Sequence, residues 1–138
     1  MNYSYSLVIG DYSNDGHNQS DLYSFKCTHK DNEIYKAYKK ACKKSGVKLE
    51  NILEEYEDSS ISETTMESLT AIGVNLDSLD VELYEGQYIF YPENVALLFL
   101  EMVRSQLEGF AYEMVAPPPC LNGWNPKLRS QFGYGVYQ

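Results

Sequence analysis

The segment from Pro92 to Glu108 constrains the fold more than any other part of the chain. Pro92 suits the first turn of a helix, Glu93 complements the positive end of the helix dipole, and Gly109 suits its termination. Apolar side chains at this period cover most of the circumference, at Val95, Ala96, Leu97, Leu98, Phe99, Leu100, Met102, Val103 and Leu107. A helix that is apolar on nearly all sides has to be surrounded by other elements, so we expect it at the centre of the core.

The N-terminal segment has the alternation expected of two half-buried strands. From Tyr3 to Tyr12 the odd-numbered side chains are mostly apolar and the even-numbered ones mostly small or polar, and Asp21 to Thr28 repeats the pattern. The residues between them are polar and turn-forming, with Asp15-Gly16 the strongest local turn signal. The pattern predicts a β-hairpin with an enlarged loop.

A two-faced helix is predicted from Asp31 to Ser45, with Asp31 or Asn32 capping its first amides and Gly46 terminating it. One face is expected to pack and the opposite face to be solvated. The packed face consists of Ile34, Ala37, Tyr38, Ala41 and Cys42, and the solvated face of Lys36, Lys39, Lys40, Lys43 and Lys44. The lysine face is typical of a solvated helix, although it would also attract phosphates or an acidic protein.

Two shorter helices are predicted in the middle of the chain. Leu49 to Tyr56 is the first. Ser60-Ile61-Ser62-Glu63 has the form of a capping box for the second, which carries Met66, Leu69 and Ile72 at helical spacing and ends at Gly73. The segment from Asn75 to Asp80 fits no single element.

The remaining segments read as strands and one long loop. Val81 to Tyr91 predicts two strands joined by a turn at Glu85-Gly86. Phe110 to Val115 predicts another strand, and Gln131 to Gln138 a terminal one. Between these two lies the proline-rich stretch from Ala116 to Ser130, which has no periodicity.

This order of elements favours an α+β fold. Hairpins outnumber strict alternations of strand and helix, so we expect a mainly antiparallel sheet with an N-terminal β-hairpin. The sheet is expected to pack against the central buried helix of about residues 92–108 and two to three shorter helices. A parallel doubly wound sheet is the alternative. Because the chain has 138 residues, we expect a single domain spanning residues 1–138.

The charges are separated along the chain. The net charge is −9, and eight of the eleven basic residues lie between Lys26 and Lys48. The stretch from Glu50 to Glu101 holds thirteen carboxylates and no lysine or arginine. This distribution disfavours direct binding to nucleic acid or to an anionic membrane and favours a protein partner with a basic surface.

The cellular compartment is inferred from what the sequence lacks. No stretch is long and apolar enough to span a membrane, and the first residues do not have the pattern of a secretory signal. Cys27, Cys42 and Cys120 are odd in number and include no C-x-x-C pair, so we expect reduced, buried thiols. These features predict a cytoplasmic protein.

Asp11, Asp15 and His17 form the first candidate site. The run Asp11-x-Ser13-x-Asp15-Gly16 resembles the first half of a calcium loop, but Leu22 stands where such a loop needs a bidentate glutamate. Asp11 and Asp15 are therefore only an incomplete metal site. If the chain is an enzyme, His17 is its best general acid or base, with Asp11 or Asp15 beside it. The alternative is that the loop only turns the backbone.

The motifs of most enzyme classes are missing. The sequence has no nucleophile elbow, phosphate-binding loop, dinucleotide fingerprint or zinc signature, and no cofactor is expected. His29 is expected to lie at the surface or to cap a helix, and Cys120 has no basic neighbour in sequence that would activate its thiol.

The leading interpretation is a small acidic binding or inhibitory protein that acts through a protein–protein interface. Immunity proteins, antidotes and phage counter-defence proteins are analogies only. The expected contact residues are Glu54, Glu55, Glu57 and Asp58 of the acidic segment, and Trp124 and Arg129 of the proline-rich loop. A small enzyme or metal-dependent hydrolase at Asp11, Asp15 and His17 is one alternative. A small-ligand sensor with a tyrosine-lined cavity is another, since the chain has thirteen tyrosines.

Overall fold

Strands and helices follow one another irregularly along the chain in the computed structural model, which describes residues 3–9, 21–49, 59–115 and 134–136. The described strands are β1 (Tyr3–Ile9), β2 (Asp21–Cys27), β3 (Ser59–Ser62), β4 (Glu82–Tyr84), β5 (Gln87–Phe90), β6 (Tyr112–Val115) and β7 (Tyr134–Val136). The described α-helices are α1 (Asp31–Ser45), α2 (Glu63–Ala71) and α3 (Pro92–Gln106), and a 3-10 helix spans Leu76–Leu79. The predicted α+β class is confirmed.

The N-terminal hairpin forms the middle of the first sheet. β1 and β2 pair antiparallel from Tyr3 opposite Cys27 to Ile9 opposite Asp21, and the strand order is β6-β2-β1-β7. Tyr5 and Leu7 are buried on the core side, as the alternation predicted. β7 pairs antiparallel with β1, so the predicted terminal strand lies beside the first strand.

A second, smaller sheet has the strand order β3-β5-β4, so the strands do not form the single sheet that the sequence analysis expected. The hairpin of β4 and β5 turns at Glu85 and Gly86, as predicted, with φ angles of 49° and 81°. Both values lie in the left-handed region that a two-residue type I′ turn requires.

The helix α3 lies between the two sheets. It contacts β1 and β2 of the first sheet, β5 of the second, the helix α1 and the 3-10 helix. Its side chains are almost fully buried at Val95, Ala96, Leu98, Phe99, Leu100, Met102 and Val103. The prediction of a central buried helix is confirmed. The helix is apolar on several sides because other elements pack against it on several sides.

Several boundaries differ from the predictions. The helix α3 ends at Gln106, and Leu107 has an extended backbone, so the expected end at Glu108 is two residues too late. The helix α1 has 15 residues, the same number as α3, so it is not one of the shorter helices that were expected.

The caps of two helices also differ from the predictions. The N-cap position of α1 is Lys30, whose amide donates to the Glu33 carboxylate at 3.1 Å, rather than Asp31 or Asn32. Asn32 does cap one amide of the first turn, as predicted, because its Oδ1 accepts from the Glu33 amide at 3.0 Å. The predicted capping box starting at Ser60 is wrong, because that serine belongs to β3. Ser62 caps α2 instead and accepts from the Thr65 amide at 3.2 Å.

Candidate functional site

The site residues predicted from the sequence all lie outside the described part of the chain. They are Asp11, Asp15 and His17 of the first loop, Glu54, Glu55, Glu57 and Asp58 of the acidic segment, and Trp124 and Arg129 of the proline-rich loop. The predicted helix from 49 to 56 and Cys120 also lie outside it, apart from Leu49. The metal, enzyme and interface hypotheses for these residues stay predictions.

The second sheet has one face against the core and one face toward solvent. Side chains alternate between the faces of a strand, and the register puts Leu83, Tyr88 and Ile61 in one row on the inner face. Ile61 is buried and Tyr88 is half-buried, whereas Leu83 on the outermost strand is 52% exposed. The core therefore covers the inner face at β3 and β5 but leaves it exposed at the edge strand β4.

The outer face of the same sheet carries exposed aromatic rings. The alternation places Tyr84 on this face of β4 and Ile89 on this face of β5. Tyr91 continues the alternation, because its backbone is extended before α3 begins. Tyr84 is 65% exposed and Tyr91 is 58% exposed. Together with Leu83 they are the large apolar side chains that the described residues leave exposed.

Two sets of hydrogen bonds hold this hairpin in place. Asn94 accepts from the Tyr91 amide at 3.0 Å and donates to the Leu79 carbonyl oxygen at 2.9 Å, so it joins the end of β5 to the chain before β4. At the tip, the Glu63 amide donates to the Gly86 carbonyl oxygen at 3.2 Å. The exposed rings therefore stand on an anchored element.

The segment of sequence that contains these exposed rings is rich in carboxylates. Residues 59–101 contain eight carboxylates and no lysine or arginine. Seven of the eight are exposed, at Glu63, Glu67, Asp77, Asp80, Glu82, Glu85 and Glu93. We call Glu82, Leu83, Tyr84, Glu85 and Tyr91 the hairpin surface. Glu82, Tyr84 and Tyr91 belong to the outer face of the sheet, Leu83 to the exposed edge of its inner face, and Glu85 to the turn.

The eighth carboxylate, Glu101, is buried in the middle of α3, where it is 2% exposed. Arg104 donates to it from Nε and from Nη2, and the Nη2 bond is 2.8 Å long. Tyr112 Oη donates to the same carboxylate at 2.8 Å, and the Asn75 amide at 3.4 Å. Every described contact of this carboxylate is a donor of the fold itself, so we interpret the cluster as structural.

The same cluster shifts the pKa values of two of its members. The hydrogen bond to Glu101 raises the pKa of Arg104 above its usual range. Burial raises the pKa of Tyr112, and the hydrogen bond to Glu101 adds to this effect. Both shifts favour the protonation states that hold the network together, with a charged guanidinium and a neutral phenol.

A second polar cluster lies where β2 leaves the first sheet. Tyr5 Oη donates to the His29 carbonyl oxygen at 3.1 Å, and Cys27 Sγ lies 3.2 Å from the same oxygen. Burial raises the pKa of Tyr5 and of Cys27. A raised thiol pKa disfavours the thiolate, so Cys27 is an inert buried thiol rather than a nucleophile.

These raised pKa values predict alkaline destabilisation. The unfolded chain releases the protons of Tyr5 and Tyr112 near a pKa of about 10, and that of Cys27 near about 8.5. The folded protein holds these protons to higher pH. The stabilising contribution is therefore complete below the unfolded pKa values and declines above them, by about 1.4 kcal/mol per pH unit for each group.

Urea denaturation from pH 7 to pH 11 measures this decline. We expect the Tyr5→Phe variant to lose about 1 kcal/mol at pH 7, because the bond to His29 is absent. Its free energy of unfolding should then fall less steeply above pH 10 than that of the unchanged protein. Tyr84→Phe, on an exposed ring, is the matched control. Parallel pH curves for Tyr5→Phe and the unchanged protein would contradict the prediction.

Other possible sites among the described residues are few. In that part of the chain no group of three or more histidine, cysteine, aspartate or glutamate side chains is placed to hold a metal ion. A cavity of about 310 Å³ lies between the end of α1 and the start of α2, lined by Ser45, Gly46, Val47, Lys48, Thr64, Thr65 and Ser68. No tyrosine lines this cavity, so it is not the one that the sensor hypothesis requires.

The lysine face of α1 is solvated in the structure, as expected, and its five lysines are all exposed. Lys39 Nζ lies 4.6 Å above the ring of Tyr35, so one lysine is held by its own helix. His29 is half-buried, and its ring lies against Phe110 with the centroids 5.9 Å apart. Its Nδ1 lies 2.8 Å from Thr28 Oγ1.

Sequence reasoning did not single out Tyr84 and Tyr91. The necessary signal was present, because the predicted turn at Glu85-Gly86 fixes which residues of the two strands share a face. The sequence does not say which face meets the core, and that determines the exposure of the two rings.

The described helices include none that is long and apolar enough to cross a membrane. Comparisons with protein families, with curated proteins and with solved structures found no match to this chain.

Proposed function

We propose that this chain is a small acidic binding or inhibitory protein that acts in the cytoplasm through an interface with a basic protein. The observation that carries the proposal is the hairpin surface, where Leu83, Tyr84 and Tyr91 are each more than half exposed beside Glu82 and Glu85. Exposed aromatic groups are enriched at the energetic centres of protein interfaces. Surrounding carboxylates steer a basic partner and exclude acidic ones.

The acidic segment and the proline-rich loop extend the proposed interface. Glu54, Glu55, Glu57 and Asp58 would add to the same negative field, and Trp124 and Arg129 would supply further contacts. The sequence supports the proposed cytoplasmic location, because its three cysteines are odd in number and include no C-x-x-C pair, which is not the pattern of a disulfide framework.

Charge reversal tests this proposal. A partner captured from the native host would be purified, and its affinity measured by isothermal titration calorimetry. We expect the double variant Glu82→Lys with Glu85→Lys to weaken binding at least about tenfold, because like charges then face each other across the interface. A second variant, with Glu54, Glu55, Glu57 and Asp58 all changed to Lys, tests the acidic segment.

The matched control carries Glu67→Lys and Glu108→Lys, which change the net charge equally at exposed positions that are not part of the hairpin surface. This control should bind as the unchanged chain does. The affinity for the unchanged chain should also fall as salt shortens the screening length from about 10 Å at 0.1 M to about 3 Å at 1 M. Equal affinity of the hairpin variant and the control, with no salt dependence, would refute the electrostatic interface.

A further inference from the structure

The strand β4 is an outer strand of the second sheet, because the order is β3-β5-β4. All three of its residues are exposed. In an antiparallel pair, residues alternate between those that bond to the neighbouring strand and those whose N–H and C=O groups point away from it. An outer strand therefore offers outward-pointing backbone groups to another chain.

The turn determines which residue of β4 points outward. A two-residue type I′ turn, formed by Glu85 and Gly86, closes on a hydrogen-bonded pair, which here is Tyr84 and Gln87. The next pair, Leu83 and Tyr88, is then a non-hydrogen-bonded pair. The N–H and C=O groups of Leu83 consequently point away from β5, toward the open edge of the sheet.

The side chains of β4 determine what kind of strand fits that edge. An added strand would meet Glu82 and Tyr84 on the outer face and Leu83 on the inner face. Arginine or lysine side chains suit the outer face, where they pair with Glu82 and Glu85 and lie against the Tyr84 ring. An apolar residue suits the position beside Leu83.

A second copy of this chain is a poor occupant of the same edge. In an antiparallel pair of two β4 strands centred on Leu83, Glu82 of one copy would lie opposite Tyr84 of the other and diagonally across from the other copy's Glu82. A second copy of β4 therefore brings no basic side chain to neutralise these carboxylates. The residues of β4 thus favour a basic partner over self-association at this edge.

We propose that the free edge of β4 receives an extended basic segment of a partner protein by antiparallel strand addition, with the backbone of Leu83 supplying two hydrogen bonds. This inference rests on the proposed function and gives its mode of recognition. The partner segment alternates basic residues, facing Glu82 and Tyr84, with apolar residues, facing Leu83.

Backbone-methylated peptides test the proposal with charge held constant. The probe is an acetylated heptapeptide in which arginine and valine alternate, titrated into the isotopically labelled protein and followed by NMR. One analogue carries N-methyl groups on its valines and the other on its arginines. In antiparallel addition the valines opposite Leu83 make the backbone bonds, so valine methylation should weaken binding about tenfold or more. Arginine methylation should leave the affinity nearly unchanged.

The three peptides separate the possible results. A selective loss on valine methylation, with slowed hydrogen exchange of the Leu83 amide, supports the proposal. A selective loss on arginine methylation contradicts antiparallel pairing. Equal affinities of all three peptides, with shifts at Glu82 and Tyr84, would exclude strand addition while leaving the acidic interface intact. Absence of saturable binding by the unmodified peptide at about 1 mM would overturn the inference.

Variants of Leu83 provide a second test. Leu83→Pro removes the outward N–H, and proline is tolerated on an outer strand where that group faces solvent. Leu83→Ala keeps the N–H and is the matched control. We expect the proline variant, with its fold verified by its NMR spectrum, to lose about tenfold more affinity for the unmodified peptide than the alanine variant. If the proline variant does not fold, the methylated peptides still decide the question.

Discussion

Replacing Glu101 with alanine is expected to lower the free energy of unfolding by about 3–5 kcal/mol, because several donors then lose their acceptor, at about 1–3 kcal/mol for each buried one. The carboxylate accepts from Arg104, from Tyr112 and from the Asn75 amide. The variant leaves Arg104 Nε and the Tyr112 hydroxyl without their acceptor, whereas Arg104 Nη2 keeps its bond of 2.9 Å to the Gly73 carbonyl oxygen. A domain with a total stability of about 5–15 kcal/mol would lose a large part of it. Urea denaturation at pH 7 measures the loss.

Two further variants separate charge from packing at this position. Glu101→Gln keeps the shape and one acceptor oxygen, so we expect a smaller loss of about 1–3 kcal/mol. The triple change of Glu101→Leu, Arg104→Met and Tyr112→Phe removes all the polar side chains together. It should cost less than Glu101→Ala, because the side-chain donors are removed together with their acceptor. A Glu101→Ala variant as stable as the unchanged protein would show that the cluster does not stabilise the fold.

The difference between local and distant interactions determines how much of the fold the sequence predicts. The central helix followed from its own apolar period, and the turn at Glu85-Gly86 from its own residue types, because both signals lie within the element itself. The segment Ser60–Glu63 misled the prediction. Its serines fit a helix cap locally, but Ser59–Ser62 pairs with β5, which lies more than twenty residues later in the chain.

The same difference applies to the candidate site. Glu101 and Arg104 lie three residues apart on one helix, so their ion pair follows from the helical period. Their contacts with Tyr112 and Asn75 depend on how β6 and the 3-10 helix pack against α3, which no local pattern gives. Likewise, alternation places Tyr84 and Tyr91 on one face, but only the packing of the sheet on α3 leaves that face exposed.

Replacing Phe99 with alanine is expected to cost a comparable amount, about 3–5 kcal/mol, because a fully buried aromatic ring leaves a cavity. The ring of Phe99 lies against Tyr38 of α1, with the centroids 5.1 Å apart. Tyr38 Oη in turn accepts from the Leu49 amide at 3.1 Å. The cavity should therefore also loosen the chain that leads into the acidic segment.

Two measurements check these effects of Phe99→Ala. Urea denaturation gives the overall loss of stability. Hydrogen exchange of the Leu49 amide reports the local loss, and this exchange should be faster than the overall loss alone predicts. Tyr91→Ala removes an aromatic ring of similar size that is 58% exposed, and should change stability by only about 0.5 kcal/mol. A small effect at Phe99 would contradict the central position of α3. A large loss of stability in Tyr91→Ala would mean that the hairpin surface contributes to folding. A small loss would mean that the Tyr91 ring is available for binding.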